Sequence, residues 1–434
     1  MQRSKLPYFF LGLSAVIAIA ALVLLILKPG VPEKPAAKPV DAPPPPVKIE
    51  GLSEAPAPEN PATVLSDLGI GVSSADPAKL VAQIAQAFEA GDLAKVSRLV
   101  GKDALDSETA ARLQALSSSP LRLRQPDGVR EVGEVELNAL SRWALELEGQ
   151  TAGRDRIFLD LRRKDGKWMV EKITLPPDPA EGNAAAVASD PLSVADTFVQ
   201  AVLNQKFEAA RAFVDPATVS DAKIAGLCIL FEEGEFRLRK SKPLRAMFTR
   251  GDTTGYLANL ESSDGSHSAQ FGMTLRQPPA TATWLVTEIN LDQMLADYAK
   301  RFAGGDPFYT PLVKNPAGGD TLALYFEFDE AEMNPRTRRQ LEIVTMILKS
   351  DPGKKITLSG HTDALGTKDY NDELSSRRAT VVREYLAGAG VDASQIITVA
   401  KGDSQPRRPN VTETGDDNPD GRRANRRTEI YLDF

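Results

Sequence analysis

Charged and apolar positions divide the chain into segments of different kinds. Tyr8 to Leu27 is an apolar run of twenty residues without a charge, preceded by Arg3 and Lys5 and closed by Lys28-Pro29-Gly30. At 1.5 Å per residue it matches a hydrocarbon core of about 30 Å, which predicts a transmembrane helix with a cytoplasmic start. A cleaved signal peptide ending near Ala18-Ile19-Ala20 is the alternative, leaving a periplasmic chain. No cysteine directly follows the run, which excludes a lipoprotein anchor. From Pro29 to Pro61 proline, alanine and lysine dominate, including Pro43-Pro44-Pro45-Pro46. Such a stretch predicts an extended tether, about 100 Å long if wholly polyproline.

Beyond the tether the pattern repeats. Asp76-Pro77 predicts a helix start, with Asp as the cap and Pro in the first turn, and Leu80, Ile84 and Phe88 share one face. Asp190-Pro191 predicts a second, with Val194, Phe198 and Val202 at the same offsets. A shorter apolar segment follows each, Leu93 to Val100 and Phe207 to Val214. Each copy closes on a strand of matching spacing, Trp168-x-Val170-x-x-Ile173-x-Leu175 and Trp284-x-Val286-x-x-Ile289-x-Leu291. We read a tandem duplication in which helices precede strands, hence α+β. Arg156 to Arg162 and Lys167 to Leu175 predict a hairpin across Lys164-Asp165-Gly166. Trp168 and Trp284 are expected as core anchors, and the acids between Glu131 and Glu148 as a solvated strand face. A helical start, a curved sheet and a closing Trp strand resemble the nuclear transport factor 2-like fold, which implies a cone-shaped pocket and leaves the function open.

Ala299 to Pro316, with Gly304-Gly305 and Pro307, predicts a boundary. Leu322 to Phe328 alternates as a strand, and Pro335 opens a helix with Leu341, Val344 and Leu348 inward, ending near Asp351-Pro352-Gly353. Strands are expected at Lys355 to Ser359, Ile396 to Ala400 and Thr428 to Leu432, and a helix from Asn371 to Leu386. With Leu374 at the centre of the helix's apolar stripe, Arg378 falls about 40° away and Arg383 about 180°. A core-facing arginine needs a partner, and Asp363, in the loop before the helix, is the nearest acid able to supply one.

Gly360-His361-Thr362-Asp363, then Asn371-x-x-Leu374-Ser375-x-x-Arg378-Ala379, then Asn425-Arg426-Arg427 before a last strand, together resemble the OmpA C-terminal peptidoglycan-binding family. The resemblance covers roughly 320–434 and implies an α/β sandwich that grips one amino acid of the peptidoglycan stem peptide, typically meso-diaminopimelate. It implies Asp363 as acceptor of the ligand ammonium and Arg378 as two-pronged donor to its carboxylate. Thr362 and Asn371 are implied as polar contacts, with Arg426 or Arg427 nearby. The long polar segment Pro406 to Gly421, with Asp416, Asp417 and Asp420, departs from the family and puts ligand preference in doubt. An amino-terminal span before such a domain also resembles the flagellar stator protein MotB. There a membrane-embedded aspartate carries protons, whereas Tyr8 to Leu27 holds no acid.

The whole is a multidomain α+β chain: anchor 1–28, linker 29–75, repeats 76–178 and 190–303, OmpA-like domain 320–434. No segment has the alternating pattern of an outer-membrane barrel. The formal charge of −7, without a basic stripe, gives no expectation of nucleic acid. One cysteine, Cys228, lies in an apolar run and predicts a buried, inert thiol. Only His267 and His361 are present, the first in a Ser-rich turn expected to be exposed, the second expected to be structural, so no metal site and no cofactor is expected. Expected partners are peptidoglycan, the lipid bilayer and, through the middle repeats, envelope proteins. The expected function is non-catalytic linkage of inner membrane to cell wall, with the bulk of the chain in the periplasm. The competing functions are a secretion- or motor-type complex subunit that uses the wall only as a fixing point, and an enzyme with a small-molecule pocket in the repeats.

Overall fold

The computed structural model describes residues 71–116, 121–150, 154–176, 190–279, 283–302, 310–314, 320–326 and 331–432, all within one compact unit, 59–434. The apolar run Tyr8–Leu27 and the tether Pro29–Pro61 lie outside the described residues. Among the described residues no helix is long and apolar enough to cross a membrane.

The segment read as the first copy opens with α1 (Pro77–Glu89), whose cap Asp76 accepts from the Ala78 and Lys79 amides. Next come α2 (Leu93–Val100), capped by Asp92, and α3 (Ser107–Leu116), which the apolar pattern did not predict. The strands β1 (Val129–Glu136), β2 (Leu140–Glu146), β3 (Arg156–Lys164) and β4 (Lys167–Thr174) form an antiparallel meander in that order. Asp165 and Gly166 both take positive φ, 49° and 77°, and close the predicted β3–β4 hairpin. Ile157, Leu159 and Leu161 join Leu80, Ile84 and Phe88 in one core on the helical face. Trp168 is only half-buried at the edge of that core, with Arg163 over its ring, whereas Trp284 is buried.

The opposite face of this sheet is solvated only in part: of the acids expected there, Glu136 and Glu148 are exposed, but others are covered. Glu134 and Glu146 are 2% and 3% exposed, and Asp160 is buried. The second copy covers them: α4 (Pro191–Leu203) lies on this face. Arg130 grips Asp196 of α4 by two hydrogen bonds of 2.9 and 2.6 Å and also bonds Glu146 at 2.8 Å. Arg156 completes the set, 3.2 Å from Glu146 and 3.3 Å from Asp196. Arg142 joins Asp160 at 2.7 Å to Asp190, the cap of α4. Burial alone would raise the Asp196 pKa, but Arg130 and Arg156 outweigh it and hold the carboxyl below its usual range.

The second copy continues with α5 (Phe207–Arg211) and α6 (Asp221–Gly234). Its strands are β5 (Phe236–Leu238), β6 (Leu244–Arg250), β7 (Thr253–Ser262), β8 (Ser268–Arg276) and β9 (Leu285–Asn290), in the order β5-β7-β8-β9 with β6 also on β7. Helix α7 (Asp292–Phe302) follows. Helix α6 is buried along most of its length, Cys228 included, and burial pushes that thiol up to about 12. His267 is exposed in its turn.

The expected boundary 299–316 is partly structured: α7 runs into it, and β10 (Leu312–Lys314) adds a strand to the last sheet. That sheet also holds β11 (Asp320–Tyr325). Helix α8 (Pro335–Ser350), capped by Asn334, precedes β12 (Ile356–Gly360). Then come α9 (Lys368–Gly388), β13 (Ile396–Ala400), α10 (Pro419–Asn425) and β14 (Arg427–Leu432). The order is β10-β11-β14-β12-β13, so the last strand lies at the centre. β12 and β13 are parallel, as their crossover through α9 requires, and the other pairs are antiparallel. Helix α6 packs on β11 and α8. Glu233, near its end, accepts from Arg336 at 3.2 Å and Gln340 at 3.0 Å, joining the second copy to the last domain.

Candidate functional site

β12 ends at Gly360, where α9 crosses so closely that a Cβ would fall inside contact distance of the Ser375 carbonyl oxygen. Only glycine permits that approach. The chain beyond it is held on both sides. The His361 amide donates to the Arg427 carbonyl at 2.8 Å, and the Thr362 amide to the Gly402 carbonyl at 2.9 Å. Gly402 in turn donates to Ser375 Oγ at 3.1 Å, so β13, α9 and the motif loop share one knot. Thr367 caps α9 and fixes where the helix begins.

Asp363 is 3% exposed. Its Oδ1 accepts the Leu365 amide at 3.1 Å, and its Oδ2 accepts from Arg426 Nη1 at 3.0 Å. A second guanidinium, Arg422, places Nη1 3.7 Å from the same oxygen. Arg378 is wholly buried, as its place in the apolar stripe predicts, while Arg383 is exposed. Arg378 Nη1 donates to the His361 carbonyl at 3.0 Å, and its guanidinium lies 5.6 Å from the centre of the Phe326 ring. The two motif residues therefore flank one short segment, Arg378 bound two residues before Asp363.

Of the two candidate arginines, the structure brings only Arg426 onto Asp363. Arg427 bonds Glu429 at 2.7 Å and the carbonyls of Asn425 and Gln405, both at 3.2 Å, and so ties strand to loop. His361 is 1% exposed, and burial, then Arg427 and Lys401, lower its pKa to about 3. It is thus neutral. Thr362 Oγ1 and both amide atoms of Asn371 are buried without a hydrogen-bond partner. Native proteins seldom leave such groups unpaired, so three orphaned atoms on two motif residues call for a reason.

Arg422 was not among the candidates. It sits on α10, a short helix inside and beyond the polar segment 406–421, four residues before Arg426 and so on the same side. The signal lay in Asn418-Pro419, a cap followed by a first-turn proline: Asn418 accepts the Gly421 amide at 3.0 Å. Asn425 anchors the segment's other end, accepting the Arg407 and Arg408 amides at 2.7 and 2.9 Å. Asn410 then reaches the motif loop, accepting the Ala364 amide at 3.3 Å.

A model of the OmpA family matches residues 325–419. The chain is 37% identical over 108 residues to outer membrane protein A of Bordetella avium, covering 25% of this chain and 53% of that protein. It is 39% identical over 82 residues to the peptidoglycan-associated lipoprotein of Pseudomonas aeruginosa, covering 19% and 48%. The crystal structure of the peptidoglycan-associated lipoprotein from Burkholderia pseudomallei is 30% identical, covering 25% of this chain and 88% of that one, with a TM-score of 0.23. The chain spans about half the length of these curated relatives. The carboxyl-terminal domain of this chain is a member of the OmpA family.

Proposed function

We propose that this chain is a non-catalytic envelope protein that binds peptidoglycan through its OmpA-family domain and links membrane to cell wall. The observation that carries the reading is the buried polar group around Asp363. A carboxylate with remaining acceptor capacity stands beside the orphaned Thr362 hydroxyl, with the Asn371 amide on the adjoining helix. A ligand carrying an ammonium, a carboxylate and amides supplies partners for each kind of group. A diaminopimelate-type stem peptide has all three. Asp363 takes its ammonium and Arg378 its carboxylate, with Thr362, Asn371 and Arg426 as the surrounding contacts. Because Asp363 and Arg378 are 3% and 0% exposed, the ligand must displace part of the site's cover to reach them.

The apolar run Tyr8–Leu27 supplies the inner-membrane anchor and Pro29–Pro61 the tether in this reading, with the two middle copies as spacers or partner-binding units. The test is sedimentation of the full chain, in mild detergent, with purified diaminopimelate-type sacculi. The parent is expected to pellet, and Asp363→Ala and Arg378→Lys to stay in solution while keeping the parent's circular dichroism. Removing one partner of a desolvated charge pair costs about 2 to 5 kcal/mol of binding, enough to empty the pellet. A parent that fails to pellet overturns the proposal.

A further inference from the structure

Arg422 presents two different edges. Nε and Nη2 form a two-pronged pair with Asp417, at 2.8 Å to Oδ1 and 2.7 Å to Oδ2. Nη1 points the other way, 3.7 Å from Asp363 Oδ2. The Arg422 side chain is 16% exposed and that of Asp417 58%. The fork thus faces outward and is filled by an acid on the polar segment 406–421.

We infer that Arg422 is a second carboxylate-recognising arm of the site, in addition to Arg378, and that Asp417 occupies its fork until a ligand carboxylate replaces it. This rests on the proposed peptidoglycan reading and adds a specificity device to it. The geometry suits the exchange. The free end of a diamino acid carries an ammonium and a carboxylate on one carbon, and here a carboxylate and a guanidinium stand 3.7 Å apart to meet them. A ligand carboxylate offers Arg422 the same two oxygens that Asp417 offers. The acid it replaces, Asp417, is exposed, and a pair with an exposed member is weak, so the exchange is cheap. Arg422 keeps its place throughout, because its backbone amide donates to the Asn418 carbonyl at 3.0 Å and its own carbonyl accepts from Arg426 at 3.1 Å.

The test titrates the full chain, in detergent, against purified diaminopimelate-type sacculi and reads the dissociation constant from the pelleted fraction. Asp417→Asn is expected to tighten binding by about twofold to fivefold, the range of an exposed ion pair. Asp420→Asn, which removes the same charge from the same segment, is expected to change nothing. In an Arg422→Gln background the gain from Asp417→Asn is expected to vanish. Free meso-diaminopimelic acid should compete better against Asp417→Asn than against the parent, whereas cadaverine, with two amines and no carboxylate, should compete equally. Binding that is unchanged or weaker in Asp417→Asn overturns the arm, as does a gain that persists without Arg422 or is matched by Asp420→Asn. If the parent does not pellet at all, the peptidoglycan reading falls and the arm with it. If the parent pellets and only the gain is missing, the arm alone falls.

Discussion

The contact between the two middle copies turns on Asp196, and replacing it by alanine tests how that contact is held. Asp196 is 1% exposed and accepts three hydrogen bonds, two from Arg130 and one from Arg156. Alanine would leave Arg130 and Arg156 both on Glu146, which Arg124 also approaches at 3.6 Å, three cations around one anion. Breaking one partner out of a buried ionic set costs about 3 to 5 kcal/mol. The two guanidiniums keep 20% and 25% exposure, enough to draw some water, which sets the expectation at the lower end, about 3 kcal/mol. Urea titration followed by tryptophan fluorescence reads the loss, since Trp143 and Trp168 lie in the first copy and Trp284 in the second. A pH series adds the sign. The folded pKa of Asp196 is lowered, so its stabilisation is complete above the unfolded value of about 3.9 and is lost as pH falls through the folded value. Asp196→Ala should therefore flatten the acid limb of the parent's stability curve. The pair Asp196→Leu with Arg130→Met removes both charges and should recover much of the loss, because the penalty comes from the stranded cation. A loss below about 1 kcal/mol in Asp196→Ala, or a double variant as unstable as the single, would refute the reasoning.

Two other predictions concern the site's frame. Gly360→Ala places a methyl against the Ser375 carbonyl oxygen, and overpacking of that kind costs about 1 to 3 kcal/mol. It should also weaken sacculus binding by moving α9, which bears Arg378, off the motif loop; thermal melting and pelleting measured together check both. Asn371→Leu removes a buried amide that has no partner, so denaturant stability is expected to hold or rise while sacculus binding falls. A drop in stability with binding intact would mean that the amide serves the fold.

Short-range chemistry was legible where it is local. Asp76-Pro77 and Asp190-Pro191 mark their helices because a cap needs only the next three residues. The Lys164-Asp165-Gly166 hairpin is just as local, since positive φ at two adjacent residues is a property of the turn itself. Arg378 was legible for a related reason: helical periodicity alone puts it in the buried stripe. Two kinds of feature escaped. Helix α6 is apolar on nearly every side because it lies between the second copy and the last sheet, and without a polar face it shows no period. Glu134 and Glu146 alternate with apolar residues as a solvated face would, but Glu146 is covered from α4, about fifty residues further on, and Glu134 meets Lys242 and Arg245 at β6, more than a hundred residues on. Alternation reports that two faces differ; it does not report that the polar one faces water.

The same limit explains the candidate site. Read along the chain, Asp363 and Arg378 are the obvious couple, an acid and a core-facing base one loop apart. In the fold the Asp363 carboxylate accepts from Arg426, just past α10, and lies near Arg422 on it, some sixty residues later, and Arg378 bonds the His361 carbonyl. Each motif residue is thus held by groups other than its supposed mate, and the proposed clamp uses the two on a ligand instead of on each other. Two charges placed to satisfy each other need no motif, because a swapped or reversed pair would serve the fold equally. An aspartate held by an arginine pair, beside a hydroxyl with no partner and close to a helix bearing an unpartnered amide, is the set that the proposed ligand's ammonium, carboxylate and amides would complete. That is the physical reason to look for the ligand here before anywhere else in the described chain.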